Sequence, residues 1–360
     1  MMGIWSLPGP GKYIAGVVRA LRDGASAVLR FPGSPPAGLE NAVRNAFGGN
    51  TAWNLIRPEP GMPPLKTLCA RFAPELLHDR HANALSLCDA ENFQDRVLWV
   101  DGMDQASWPN WRQFMSDYAH ASRDTPVLGR TLLMVVLAGT PPGKAPEHDV
   151  TLSVHDWRGV VDRTDILIHA DRELRDRRRP SGERELLAAT ISRVIAWDIE
   201  AANRLLAEPR EVVLNPKQCL RAIAHEYSWT QDTPADWTLG TDDGSGVVHA
   251  ALAAIQEPAR ELELRIWSAQ AAVVLPAVEA ARHAIVSRNL HLLPRSIQTD
   301  YGPVDDPYAF EIGVLAFLMD RQGFDKPLRT RVRALRNARN NLAHLCPLPG
   351  SIALSLVADT

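Results

Sequence analysis

The chain has 360 residues, with 42 acidic against 39 basic side chains, a formal net charge of −3 and 46% hydrophobic residues. These values exclude a wholly disordered chain, and the near-neutral charge argues against a protein that coats nucleic acid regardless of sequence while leaving a local basic patch open. The length predicts two or three domains, each able to bury its own core. Only five basic residues are lysine, leaving 34 arginines. A GC-rich genome produces that skew, so arginine clusters carry reduced weight. Cys69, Cys88, Cys219 and Cys346 are 19, 131 and 127 residues apart and form no CxxC pair, so they read as reduced, buried thiols. The longest strongly apolar run, Leu132–Ala138, is far short of the roughly 20 residues that span a bilayer. With no basic segment followed by an apolar stretch at the start, no signal peptide is expected. The expected compartment is the cytoplasm, with no membrane contact.

In chain order, residues 1–11 are rich in Gly and Pro and predict an extended segment. A short amphipathic helix follows, with Ile14, Val17, Val18 and Leu21 on one face, ended by Asp23-Gly24. Expected strands are Ala27–Phe31, Ala84–Cys88, Val97–Val100, Leu132–Ala138 and Val150–Val154, with helices over Gly38–Phe47 and Trp108–His120. Short apolar strands separated by helices predict a parallel α/β sheet. From about residue 171 the chain becomes dense in charge of both signs, then a helix is expected over Glu183–Glu208. Residues 230–246 read as a linker or long loop, and from Val247 onward only helices are expected: 247–256, 259–291, 307–322 and 326–345. The expected division is an N-terminal extension to residue 25, an α/β domain over 26–170, a helical connector over 171–245 and a helical bundle over 246–360.

After the first strand, Gly33-Ser34-Pro35-Pro36-Ala37-Gly38-Leu39-Glu40 has the spacing of the phosphate-binding loop GxxxxGK[ST], in the strand-to-helix context that motif requires. A working loop cradles phosphates with backbone N–H groups, neutralises them with Lys and ligates magnesium with Ser or Thr. Here Leu39 and Glu40 stand in those two places, and two prolines remove N–H donors. The GPGKY stretch at 9–13 is no substitute, because no strand precedes it. Val97-Leu98-Trp99-Val100-Asp101 reads as an apolar strand ending in a magnesium-holding acid, with Gly102 where a catalytic Glu is usual and Asp104 close by. Leu132–Ala138 then leads into Thr140, the place of a polar sensor. Together these pieces resemble a degenerate P-loop NTPase of the STAND and AAA+ branch over residues 25–170. The resemblance implies a degenerate nucleotide pocket at Gly33, Gly38, Asp101, Asp104 and Thr140. It implies no required cofactor and at most weak binding of ATP and magnesium.

Asp156-Trp157-Arg158-Gly159 places Arg158 either near that pocket or on a surface turn beside a packed Trp. The cluster Arg172, Arg175, Arg177, Arg178 and Arg179 is interleaved with Asp171, Glu173 and Asp176, the pattern of a solvated helix face more than of a phosphate contact. His78 and His81 lack further ligands, and the acidic loop of Asp232, Asp236, Asp242 and Asp243 lacks the Glu-terminated calcium pattern.

Near the C-terminus, Arg339-Asn340 followed by His344 matches the Arg-polar-x3-His motif of HEPN domains, and Glu311 lies in an apolar helix upstream. The resemblance covers residues 255–349. It implies a small helical bundle, often dimeric, and a metal-independent ribonuclease in which His344 moves a proton, Arg339 stabilises phosphate charge and Asn340 positions them. At 100° per residue Arg339 and His344 lie about 140° apart, so joint action needs a helix end near His344 or a partner subunit. The competing reading is a buried Arg339 paired with an acid such as Glu311 or Asp320, and His344 at a helix C-terminus. The expected function is a non-catalytic pseudo-ATPase regulator or scaffold of a bacterial conflict system such as antiphage defence. It would work through a protein partner encoded nearby and self-associate through the helical domain. The alternatives are an RNA-cleaving effector using Arg339, Asn340 and His344, and an ATP-binding switch.

Overall fold

The structure, a computed structural model, describes residues 3–49, 51–104, 106–139, 146–234, 240–242, 245–299, 302–321 and 324–358. The chain divides into two units, Met1–Val161 and Asp162–Thr360.

The first unit contains β1 (Ser26–Phe31), β2 (Ala52–Ile56), β3 (Arg96–Val100), β4 (Leu132–Ala138) and β5 (Leu152–Asp156). They form one parallel sheet in the order β2-β3-β4-β1-β5. The central strands are apolar at nearly every position because both sheet faces are covered. Leu29, Trp99 and Met134 face a core shared with α1 (Pro8–Arg22) and α2 (Leu39–Phe47). Leu98, Leu133 and Val135 face the core built by α3 (Pro64–Phe72), α4 (Ala84–Cys88) and α5 (Trp108–Ala121). The chain leaves β1 across one face and returns from β2 through β3 to β4 across the other, as right-handed crossovers require. Burial pushes the Cys88 thiol up to about 11, with Asp89 adding to the shift, and Cys69 is raised as well. Both are unpaired, buried thiols.

Several expectations are corrected. The segment before residue 12 is not extended throughout: α1 starts at Pro8, a helix start where the missing N–H costs nothing. Ala84–Cys88 is a helix, started by the Asn83 side chain accepting from Ser86 N–H at 3.0 Å. The strand missed by the pattern is β2, an edge strand with one buried residue, Ile56. The fifth strand starts two residues late, and Val150 is 87% exposed.

Among its described residues the second unit is helical, with two small antiparallel strand pairs. It contains α6 (Arg163–Asp176), α7 (Ser181–Ile195), α8 (Ile199–Ala207), α9 (Arg210–Val213), α10 (Lys217–Glu226) and α11 (Ala250–Ile255). The 30-residue α12 (Arg260–Asn289) follows, then α13 (Ile312–Arg321), α14 (Lys326–Ala343) and α15 (Gly350–Val357). The antiparallel pairs are β6 (Gly240–Asp242) with β7 (Ser245–Val247), and β8 (Ile297–Thr299) with β9 (Gly302–Val304). The all-helical expectation after Val247 therefore fails at β8–β9. The single helix expected over Glu183–Glu208 is two. Ala196 adopts φ 64°, Trp197 N–H bonds to the Ile195 carbonyl at 2.8 Å, and Asp198 caps α8.

Helix α12 packs against α7, α14 and α15 and supplies donors to the ends of α7 and α14 and to neighbouring loops. Arg265 donates to the carbonyls of Val194 (3.0 Å) and Val248 (2.8 Å). Trp267 donates to the Leu342 carbonyl at 2.7 Å. Gln270, wholly buried, donates to the Leu348 carbonyl and accepts from its N–H. Val194 and Leu342 lie in the last turns of α7 and α14, where carbonyls lack intrahelical donors, and Val248 and Leu348 lie in the loops before α11 and α15. Pro276 lies inside α12. Among the described residues no helix is long and apolar enough to cross a membrane.

Candidate functional site

The loop after β1 leads through Gly38, at φ 79°, into α2. Gly33 and Gly38 are exposed, and neither Leu39, which is buried, nor Glu40, which carries a negative charge, offers a group that would serve a phosphate. Leu39 is 4% exposed and packs into the core between α1, α2 and the sheet. The loop is tied from outside by Trp5, whose Nε1 donates to the Ala37 carbonyl at 3.1 Å. Trp5 meets Trp157 edge-on at 5.7 Å between ring centroids, and Trp157 in turn meets Tyr13 at 5.1 Å and Phe31 at 5.4 Å. Burial drives the Tyr13 phenol far above its usual range, with Asp156 adding to it. Burial also lowers the His155 imidazole beside it. The aromatic group flanking the loop is therefore uncharged, and Trp157 is packed within it. Arg158 follows on a turn where its N–H donates to Asp156 Oδ1 at 3.0 Å.

The sheet sets β3, β4 and β1 next to one another with their C-terminal ends staggered. Gly139 N–H bonds to the Phe31 carbonyl at 3.0 Å, and Asp101 N–H to the Ile56 carbonyl at 3.0 Å. Val100 is level with Val135 and, through β4, with Val28. Three more residues carry β1 to Phe31, so the glycine loop starts about 10 Å above the end of β3. Asp101 is exposed, and its Oδ1 accepts from Gly102 N–H at 2.8 Å. Asp104 Oδ1 accepts from Ser107 N–H at 2.6 Å at the start of α5, and the bonds from Ser107 hold its carboxyl below the usual range. Both acids thus hold local turns. Thr140 lies outside the described residues.

In the second unit, α14 carries Lys326, Arg329, Arg331, Arg333, Arg336 and Arg339 with no carboxylate among its 18 residues. Arg339 lies 3.8 Å from Glu311 and is half-exposed, so it is paired with that acid but not buried. Asp320 pairs instead with Arg333 at 2.8 Å. The helix ends at Ala343, and His344 caps it with its N–H on the Asn340 and Asn341 carbonyls. Asn340 and His344 are exposed. Among the described residues no hydrogen bond joins the side chains of Arg339, Asn340 and His344.

The other predicted features do not assemble. His78 and His81 are exposed, with His81 N–H on Asp79 Oδ1 at 2.8 Å. Asp236 and Asp243 lie outside the described residues. Among the described residues no group of three or more His, Cys, Asp or Glu is close enough to hold a metal ion. Sequence reasoning missed two arrangements. One is a buried pair: His249 Nδ1 accepts from Ala251 N–H at 3.1 Å, and its Nε2 bonds Asp198 Oδ2 at 2.7 Å. Trp197 and Trp229 pack edge-on against that imidazole at 5.3 and 4.8 Å. The other is a groove of about 780 Å³ along α6 and α7, lined by Arg163, Arg172, Arg175, Arg184 and Arg193. Its signal, arginines facing one another from two antiparallel helices, is invisible until the helices are paired. No family model matches the chain, and no curated protein is significantly similar to it in sequence.

Proposed function

We propose that this protein is a non-catalytic regulatory or scaffold component of a bacterial conflict system, built on a P-loop NTPase-type fold that has given up nucleotide chemistry and acting through protein contacts. The observation that carries this reading is Leu39: the position that would hold the phosphate-binding lysine is a core residue, 4% exposed. The parallel sheet, the glycine loop at the C-terminal end of β1 and the acid at the end of β3 support descent from a nucleotide-binding fold. Trp5 on the loop and the local bonds of Asp101 and Asp104 support its conversion to a fixed scaffold. Assignment to defence rests on the pairing of STAND-like and HEPN-like segments in one chain. Fold alone does not give function.

Thermal unfolding with and without millimolar ATP and magnesium tests the reading. A ligand that binds only the folded state raises the melting temperature by mass action. The scaffold reading expects no shift, and it expects Asp101→Ala to leave co-purification with a neighbouring gene product intact. A shift of several degrees, or loss of the complex in a folded Asp101→Ala protein, favours the ATP-binding switch.

A second reading, an RNA-cleaving effector, is favoured by the end of α14 at Ala343, which releases His344 from the helix beside a carboxylate-free basic stretch. Purified protein should then cut RNA without metal, and His344→Ala should abolish the cut. Equal cleavage by both proteins rejects it.

A further inference from the structure

Helix α13 is apolar on more sides than its own unit covers. From Ile312 to Met319 it carries no polar side chain. Ile312, Leu315, Ala316 and Met319 form one stripe, and all four are buried. At 100° per residue Val314, Phe317, Leu318 and Arg321 form a second stripe on the opposite side. Val314 and Leu318 are half-buried there, and Phe317 is 53% exposed, the one phenylalanine among the described residues left mostly open to water. Single exposed apolar side chains are ordinary, but three at helical spacing make a face, and a helix apolar all round is a buried helix. The two ends of this face carry opposite charges. Glu311 starts the helix: its carbonyl accepts from Leu315 N–H at 3.0 Å, and in projection it lies about 60° from Val314. Its side chain is 71% exposed, and the nearest cation, Arg339, is 3.8 Å away, at the limit of an ion pair. Arg321 closes the helix. Its guanidinium lies over the Phe317 ring at 4.3 Å and has no carboxylate partner among the described residues. Stacking on a ring leaves the guanidinium edge able to bond a carboxylate. Asp320 is turned away, to Arg333 of α14.

We infer that two copies of this chain pair through α13, with the two helices side by side and antiparallel about a two-fold axis. The face is its own complement. With the axis level with Ala316, Glu311 and Arg321 stand five residues to either side of it, and Val314 and Leu318 stand two. Glu311 of each copy therefore faces Arg321 of its partner, Val314 faces Leu318, and the two Phe317 rings meet beside the axis. An aromatic anchor at the centre with opposite charges at the rim is the ordinary build of a protein interface. From Glu311 to Arg321 the face is about 15 Å long, which places it at the small end of specific interfaces. The dimer is accordingly concentration-dependent, with a dissociation constant in the micromolar range. A lipid surface fits this face worse, because it has one cation balanced by one anion and no basic cluster. The inference is independent of whether the chain is a scaffold or a nuclease.

The test is sedimentation equilibrium of the full-length protein from about 1 to 200 µM, where a reversible monomer–dimer equilibrium is expected. Phe317→Ser should weaken the dimer about tenfold or more. Glu311→Arg and Arg321→Glu should each do the same, because each alone sets like charges against one another at both ends. Mixing the Glu311→Arg and Arg321→Glu proteins should then restore a dimer, since both ends of the mixed pair are again opposite in sign. That rescue is specific to an antiparallel α13 pair, and neither a structural defect nor a different interface produces it. Thermal melts identify any variant that fails to fold; if a charge variant does, Phe317→Ser decides alone. A monomer at every concentration, a dimer indifferent to any folded variant, or folded charge variants that stay monomeric when mixed overturns the inference.

Discussion

The α/β unit and the helical unit solve the same problem, unpaired backbone carbonyls, with different materials. In the parallel sheet the strands satisfy one another, and the buried polar residues of that unit are mostly hydroxyls: Ser26, Ser107, Ser122, Thr131 and Thr151. Among its described residues the one buried ion, Arg130, donates to the carbonyls of Gly24, Arg123 and Thr125, all in turns at the lower edge of the sheet. The helical unit has many helix ends, and buried ionisable groups meet them: Asp165 in the α6 capping box, His249 at the start of α11 and Arg265 at the end of α7, while the buried Glu183 pairs with Arg179 and Arg210. The lesson is that ionisable residues go inside where the fold leaves loose acceptors and donors, and helix ends leave more of them than strands do. It also limits what is left for function. In the α/β unit the acids at the strand ends are consumed by their own turns. In the helical unit the arginines of the α6–α7 groove are engaged as well: Arg175 and Arg184 pair with Asp171, and Arg193 donates to Ser268.

The comparison breaks first if Leu39→Lys is tolerated. Burying an ammonium at that position should cost about 4 kcal/mol by urea unfolding and confer no stabilisation by ATP. A folded variant stabilised by ATP would mean that the loop still works as a phosphate site. Next in size, Arg265→Met leaves the Val194 and Val248 carbonyls without their donor and should cost about 3 kcal/mol. A cost under 1 kcal/mol would remove the distinction between the units.

Asp198→Asn should cost about 2 kcal/mol at neutral pH, since it weakens the bond from His249 while keeping an acceptor for the α8 cap. Burial alone would raise the Asp198 carboxyl; the bond from His249 and two backbone amides outweigh it and hold the group below its usual range. Its contribution is therefore fully present above the ordinary carboxylate pKa and is lost as pH falls through the lowered value. The variant should show a flatter acid limb than the parent in unfolding measured from pH 6 to pH 2, and parallel limbs would refute that. The smallest effect is expected from Arg130→Met, about 1.5 kcal/mol, because the turn carbonyls of Arg123 and Thr125 can turn to water and only the buried Gly24 carbonyl loses its donor outright. A loss equal to that of Arg265→Met would show that solvent access does not separate the two clamps.

Much of the α/β unit was legible because its strands are continuous apolar runs. Val97–Val100 and Leu132–Ala138 sit where hydrophobicity places them, within a residue at each end. Edge strand β2 was not legible, because AWNLI carries a polar Asn54 and is half-exposed. Ala84–Cys88 was misread because a five-residue apolar run fits strand and helix alike; the cap at Asn83 was the discriminating signal. The break at Ala196 was hidden inside an unbroken helical pattern, although Asp198 followed by Glu200 is a helix start. For the site, the loss of Lys and hydroxyl at Leu39 and Glu40 was visible, but the burial of Leu39 was not. Burial depends on α1, which lies earlier in the chain and meets α2 only in three dimensions.

Pro276 has a consequence for time rather than for structure. Lacking an N–H, it breaks the hydrogen-bond ladder of α12 in the middle and leaves the Ala272 carbonyl without its donor. Upstream of it stand Arg265, Trp267 and Gln270, anchoring α7 and the end of α14; downstream stands Arg282, anchoring the Tyr308 and Phe310 carbonyls. One continuous helix therefore carries two sets of anchors that need not open together. Amide hydrogen exchange should show two rates along α12, divided at Pro276, with the half anchored to residues 308–310 opening as its own cooperative segment.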